Sequence, residues 1–341
     1  MPDSPADFWS EDWVGSCTTA NNLSPDGAEQ GLSTIDLPGH PPVRLVDLVE
    51  SYPAEMLGDE YVTRVGPTTG VLVKLLSPEG AVPVHAHPRP EWARKNLGSA
   101  FGKTEAWIFL DVESPDKTGS AGIGFVPGVD RPSFQAAALN RDRDSLRRSL
   151  QRFDIAEGDV FVAPAGAAHC LGGGLSYIEV QEPSDHIVIA ELDAGDDEAY
   201  ATMGFGWDKA LDMIDFPVED APPTAGDPRQ APTVIYDSGG ARMTALMNEE
   251  FWGLFNAISL DIVPGAELTV ADGRFSILIV TSGSGYLRGR FGEIHVTKGM
   301  TLALPAIVDA RFRAPSEVLQ VIRCVGPDLR KINPTAAPLV S

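Results

Sequence analysis

Residues 157–171 read EGDVFVAPAGAAHCL, and residues 298–312 read KGMTLALPAIVDARF. Each copy runs Gly, a short stretch of mostly apolar chain, then Pro-Ala; at the same distance past the proline stands His169 in the first copy and Ala310 in the second. A short apolar run between Gly and Pro reads as a strand that closes in a tight turn. The chain therefore builds the same β corner twice and arms only one with a histidine. An internal repeat of a small β-barrel unit accounts for the duplication.

The text on either side agrees. Short apolar runs such as TTGVLVKLL, EAWIFLDV, SYIEVQE and HIVIAEL precede or follow the first corner, and GLFNAISLDIV, FSILIVTSGSGYLRG and VLQVIRCV surround the second. Gly, Pro and Asp punctuate them, as in antiparallel barrels and jelly rolls. Two segments break the pattern. SFQAAALNRDRDSLRRSLQRF (133–153) carries Leu139, Leu146 and Leu150 at helical spacing, and 197–215 ends in another amphipathic turn. FPVEDAPPTAGDPRQAPTV reads as a linker. The expected fold class is mostly β, two jelly-roll barrels with an inserted helical segment. Its expected division is an N-terminal domain at 1–215 with the insert around 131–153, a linker at 216–234, and a C-terminal barrel at 235–341.

Composition narrows the partners. A formal charge of -22 over 341 residues argues against nucleic acid and anionic membrane surfaces. No apolar run approaches the roughly 18–20 residues of a membrane span. The acidic start, MPDSPADFWSEDWVGS, lacks a signal-peptide pattern, and Cys17, Cys170 and Cys324 are odd in number and far apart. Both features fit a cytoplasmic protein without a disulfide framework.

In GAVPVHAHPRPEW, His85 and His87 are two apart in a strand, so both imidazoles leave the same side. His169 follows PAGAA, where Pro164 and Gly166 force a turn that re-aims the chain. Two carboxylates compete to complete the set. Glu91 lies in HPRPEWARKNLG, which reads as a proline turn entering a helix; Glu105 heads the alternating strand EAWIFLDV and is the better candidate. Three imidazoles and one carboxylate suit Zn²⁺ first, and Fe²⁺ or Mn²⁺ after it, with open positions for a substrate. The second barrel keeps Gly299 and Pro305 but has Ile307 and Ala310 at the places of Gly166 and His169, and its histidine, His295, follows no His-x-His. It reads as a structural copy.

VHAHPRPEWARKNLGSAFGKTEAWIFLD, with IAEGDVFVAPAGAAHCLGGG and YIEVQEPSD, resembles class I mannose-6-phosphate isomerase, a metal-dependent family of the cupin superfamily. The GKTE tetrapeptide, the Pro-x-Gly-x-x-His turn and the Glu-x-x-x-x-Ser-Asp stretch stand in that family's order and spacing. The resemblance covers roughly residues 10–215 and the C-terminal barrel in outline. It implies two cupin-type barrels, metal ligands at His85, His87, Glu105 and His169, and catalytic roles for Lys103 and Glu179. His85-Ala86-His87 stands where the family has Gln-x-His, and imidazole is the stronger nitrogen ligand. Pro83 replaces a serine that helps hold the sugar phosphate, and Ile189 replaces an arginine implicated in catalysis. A buried phosphate needs charge-assisted donors. His186, Arg64, Arg89, or Arg141, Arg143, Arg147 and Arg148 of the insert are the candidates to supply them.

The expected activity is a metal-dependent aldose–ketose isomerisation, interconverting mannose 6-phosphate and fructose 6-phosphate, with a small sugar or sugar phosphate as partner. Isomerisation of another sugar, Fe-dependent dioxygenation on the same ligand set, and sugar binding without catalysis are the alternatives.

Overall fold

The computed structural model describes residues 11–21, 27–37, 39–114, 118–217 and 226–332. Among these, one compact unit holds 11–12, 74–179 and 184–229, and another holds 13–73, 180–183 and 230–332. Residues 13–73, N-terminal in the chain, are thus grouped with the second unit. The expected linker falls partly outside the described residues, at 218–225.

Two five-stranded sheets contain the strands of the first unit, and a few end residues of three strands in the second sheet fall in the other grouping. One runs Val188–Ile189, Val82–Ala86, His169–Leu171, Gly119–Phe125, Leu150–Ile155; the other runs Glu11–Val14, Leu72–Leu76, Leu175–Gln181, Glu105–Val112, Val160–Ala163. Alternation sends Trp107, Phe109, Phe161, Tyr177 and Ile123 into one apolar cluster, all at most 2% exposed. The strand predicted for EAWIFLDV is present, with Glu105 paired to Ala163 immediately before the Pro164 corner. At that corner Gly166 has φ +91°, and a Cβ there would run into the Asp215 carboxylate.

HPRPEWARKNLG forms the helix Pro90–Leu97, with proline at its start and Gly98 left-handed at its end, and Glu91 is exposed on it. The predicted insert is shorter than its periodicity implied. Helix Arg131–Leu139 stops, the chain turns through Arg141 at φ 54°, and a second helix covers Arg143–Arg148. Asp130 and Asp142 cap the two helices through the N–H groups of Ser133 and Ser145. Leu150 begins a strand, and Leu139 is half exposed where helical spacing had assigned it to a buried face. After the turn at Arg141 the capping residue Asp142 starts a new helix, which ends the phase that Leu139 shared with Leu146.

The second unit contains a six-stranded sheet, Thr233–Ser238, Ala241–Ala245, Asn256–Ile262, Leu319–Val325, Ser276–Ser282, Thr301–Leu304, and a four-stranded one, Glu267–Val270, Ala310–Arg313, Ser284–Gly289, Gly292–Thr297. Leu260, Leu278 and Val321 of the first meet Leu268, Leu287 and Phe312 of the second in one core. Its Pro305 corner is held by helix Pro53–Leu57 and the residue before its end, since Ala306 and Ile307 donate to the carbonyls of Met56 and Glu55. Among the described residues no helix is long and apolar enough to cross a membrane.

Candidate metal centre

His85 and His169 are directly paired across neighbouring antiparallel strands, and His87 follows at the end of its strand. Glu105 comes from the other sheet. Their four ligand atoms lie within 4.8 Å of one another, and all four residues are buried. Glu105 Oε1 is 2.9 Å from His169 Nε2, and Oε2 is 3.1 Å from His87 Nε2.

The hydrogen bonds of the opposite ring nitrogens decide what fits between them. His85 Nδ1 meets the Pro83 carbonyl at 2.7 Å, His87 Nδ1 the His186 carbonyl at 2.8 Å, and His169 Nδ1 the Ala167 carbonyl at 2.9 Å. A carbonyl only accepts, so each Nδ1 carries a proton and each Nε2 is the nitrogen left to offer a lone pair to a cation. His169 Nε2 and Glu105 Oε2 are fully buried without a hydrogen bond of good geometry, although the Lys103 ammonium forms an ion pair with Oε2. Lone pairs that converge on a carboxylate at such distances call for a cation among them. Three imidazoles turned Nε2-inward and one carboxylate therefore fit a divalent metal. Burial pulls His85 well below its usual range and His87 down to about 3, which keeps both neutral. Glu105 lies well below the carboxylate range despite its burial, because the Lys103 ammonium stands beside it.

Lys103 Nζ is 3.1 Å from Glu105 Oε2 and 3.1 Å from His87 Nε2. Glu179 accepts from Trp107 Nε1 at 3.2 Å, and burial first, then Glu105, pushes it up to about 7. Two further residues of this environment escaped the sequence reading. Lys74 is 4% exposed and lies 2.9 Å from Glu11, 3.9 Å from Glu179 and 3.8 Å from Asp185. Trp107 bridges from Glu179 to His169, whose ring centre is 5.5 Å away. Alternation in LVKLL was the available signal for Lys74; for Trp107 it was the shared face with Glu105.

The candidate phosphate donors have other engagements. Arg143 and Arg147 hold Glu191 at 2.7 and 2.9 Å, Arg141 donates to the Asp196 carbonyl, and Arg148 pairs with Asp144. Arg89 pairs with Asp215, and Arg64 with Glu60 and the Ile332 carbonyl. His186 gives its backbone carbonyl to His87. Ile189 is the strand partner of His85.

Fold and ligand set together define a protein of cupin type with a centre able to hold one divalent metal. No family model matches the chain. Over 115 residues, 34% of this chain and about a third of the relative's length, it is 26% identical to the mannose-6-phosphate isomerase ManA of Bacillus subtilis. It is 22% identical to the mannose-6-phosphate isomerase of Streptococcus mutans over 251 residues, 73% of this chain and 72% of that one. The crystal structure of the Bacillus subtilis mannose 6-phosphate isomerase shares its fold at a TM-score of 0.70 and 22% identity, covering 92% of this chain and 89% of the other. A zinc-bound mannose 6-phosphate isomerase aligns at 0.63 and 15% identity, over 94% and 91% of the two chains. Its homologues are thus mannose-6-phosphate isomerases, and at these identities the chain is a divergent relative of them.

Proposed function

We propose that this chain is a metal-dependent aldose–ketose isomerase with His85, His87, Glu105 and His169 as metal ligands, and that it interconverts mannose 6-phosphate and fructose 6-phosphate. One observation carries the reading: three Nε2 lone pairs converge on a buried carboxylate, with an ammonium and a second carboxyl, Glu179, beside them. Zinc, the metal of the solved relative, suits this donor set and would supply Lewis acidity toward the sugar's oxygens.

The remaining steps belong to the chain. Isomerisation removes the proton from C2 of the aldose, passes through an enediol, and returns a proton to C1. Glu179, pushed up to about 7, has the affinity to take that proton and give it back. Trp107 and Lys74 hold its carboxylate in place. Lys103 carries positive charge beside Glu105 and stabilises the oxyanion that develops on the substrate. Burial of the cluster excludes water from the enediol.

A second reading rests on the arginines: with Ile189 paired to His85 and Arg89, Arg143 and Arg147 bound to carboxylates, an unphosphorylated sugar would meet a better match. The test is an isomerase assay on metal-quantified protein with mannose 6-phosphate and with free mannose, before and after chelation. Chelator-sensitive turnover that Lys103→Ala removes without loss of metal supports the isomerase. Preference for free mannose selects the second reading. Turnover of neither sugar by the metal-loaded protein rejects both.

A further inference from the structure

The second unit answers why only one corner is armed. Its strands repeat those of the first in register. Ala310 pairs with Val270 as His169 pairs with His85, and Ser276 pairs with Leu304 before Pro305 as Glu105 pairs with Ala163 before Pro164. The texts align accordingly: GAVPVHAH (80–87) with GAELTVAD (265–272), and LSYIEVQEP (175–183) with LQVIRCVGP (319–327). His85, His87, Glu105 and His169 therefore become Val270, Asp272, Ser276 and Ala310. Glu179 becomes Arg323, so the charge at that position reverses.

Arg323 lies on a strand paired on both sides, to Asn256–Ile262 and to Ser276–Ser282, and is 2% exposed. Its guanidinium reaches the Asp272 carboxylate through two bonds of 2.8 and 2.6 Å, and its Nε donates to Ser276 Oγ at 2.7 Å. Both partners are register equivalents of metal ligands. Such a fork is rigid and always charged, and a buried one persists only when its donors are met.

We propose that Arg323 is the resident cation of the second unit: its guanidinium occupies the place that the duplicated fold reserves for a metal, so this unit closes on itself without one. The carboxylate at the His87 position turns to a side chain of the same unit for its counter-charge, and the reversal from Glu179 to Arg323 supplies it. Metal and Arg323 are then mutually exclusive at this place.

Cobalt(II) binding to the full chain tests that exclusion. Val270→His and Ala310→His are introduced together, once with Arg323 kept and once with Arg323→Met, leaving Asp272 to complete a His-Asp-His set. The Arg323→Met version gains an equivalent of cobalt over the parent, and the version with Arg323 gains none. Binding by both, or by neither while near-ultraviolet dichroism stays native, overturns the proposal. Should the Arg323→Met chain fail to fold, Asp272→Asn alone carries the test, because its side chain is 46% exposed and the variant is mild. It lowers the melting midpoint by the same amount with and without chelator; no shift, or one that chelation abolishes, overturns the proposal. None of these readouts depends on isomerase activity, so they stand or fall separately from the proposed reaction.

Discussion

At the scale of single residues, Glu179 carries the sharpest expectation. Its carboxyl is raised to about 7, above the usual value of about 4.3. As the proposed base Glu179 would work ionised, so kcat/KM should climb with pH up to about 7, and Glu179→Gln should flatten that limb while lowering kcat by about 10²- to 10⁴-fold. The same shift has a stability sign. A carboxyl that holds its proton more tightly when folded loses stabilisation as pH rises from about 4.3 through about 7. In chelated protein, Glu179→Gln should therefore melt above the parent at pH 8 and close to it at pH 4. Equal melting of the two at pH 8 would show that Glu179 is not raised. The clustered residues were legible because a strand's two-residue period fixes which side chains share a face: His85 with His87, and Glu105 with Trp107. Lys74 was not, since one lysine in LVKLL reads as a stray until packing brings Glu11, Glu179 and Asp185 around it.

Elements position these residues, and two of them can be tested. The Pro164 corner depends on a left-handed Gly166 packed against Asp215, with its N–H donated to the His87 carbonyl at 2.8 Å. Gly166→Ala imposes strain of about 1–3 kcal/mol and a clash besides, at the turn that aims His169. It should weaken metal retention in equilibrium dialysis while leaving secondary structure intact; unchanged retention would mean the corner tolerates a side chain. The helical insert is fastened by Glu191, which is 4% exposed and takes Arg143 and Arg147 on one side and the Val84 N–H at 3.0 Å on the other. Glu191→Ala strands that N–H and the Arg147 guanidinium, so a loss of about 2–4 kcal/mol in denaturant unfolding follows. Arg143→Ala, on an exposed side chain, should cost below about 1 kcal/mol. The periodicity of 133–153 announced a helix there, yet the Asn140–Asp142 break was hidden by it, because Asp142 reads equally as a solvated helix residue or as a cap. Only the bond to Ser145 distinguishes these.

At the scale of the whole molecule, the repeat was visible in two short stretches of text, while the grouping of residues 13–73 with the second unit was not, because it rests on contacts between stretches far apart in the chain, such as the Ala306 N–H to the Met56 carbonyl. A metal held by His85, His87, Glu105 and His169 would tie together strands from two sheets. Chelation should therefore speed hydrogen exchange in Val82–Ala86, Glu105–Val112 and His169–Leu171 and leave Asn256–Ile262 and Leu319–Val325 unchanged. Uniform acceleration would count against units of separate stability. The facing lone pairs of His169 and Glu105 have one more consequence, an evolutionary one. A fold that turns three imidazoles toward one buried carboxylate stakes both its charge balance and its centre on that residue, and the exchange of a single atom tests it. Glu105→Gln would turn an amide N–H toward His169 and leave its oxygen toward Lys103. The variant should retain little metal and, because it leaves the buried Lys103 ammonium beside a neutral amide, melt below the chelated parent, so stability alone would hold a glutamate here in a population freed from selection on this centre.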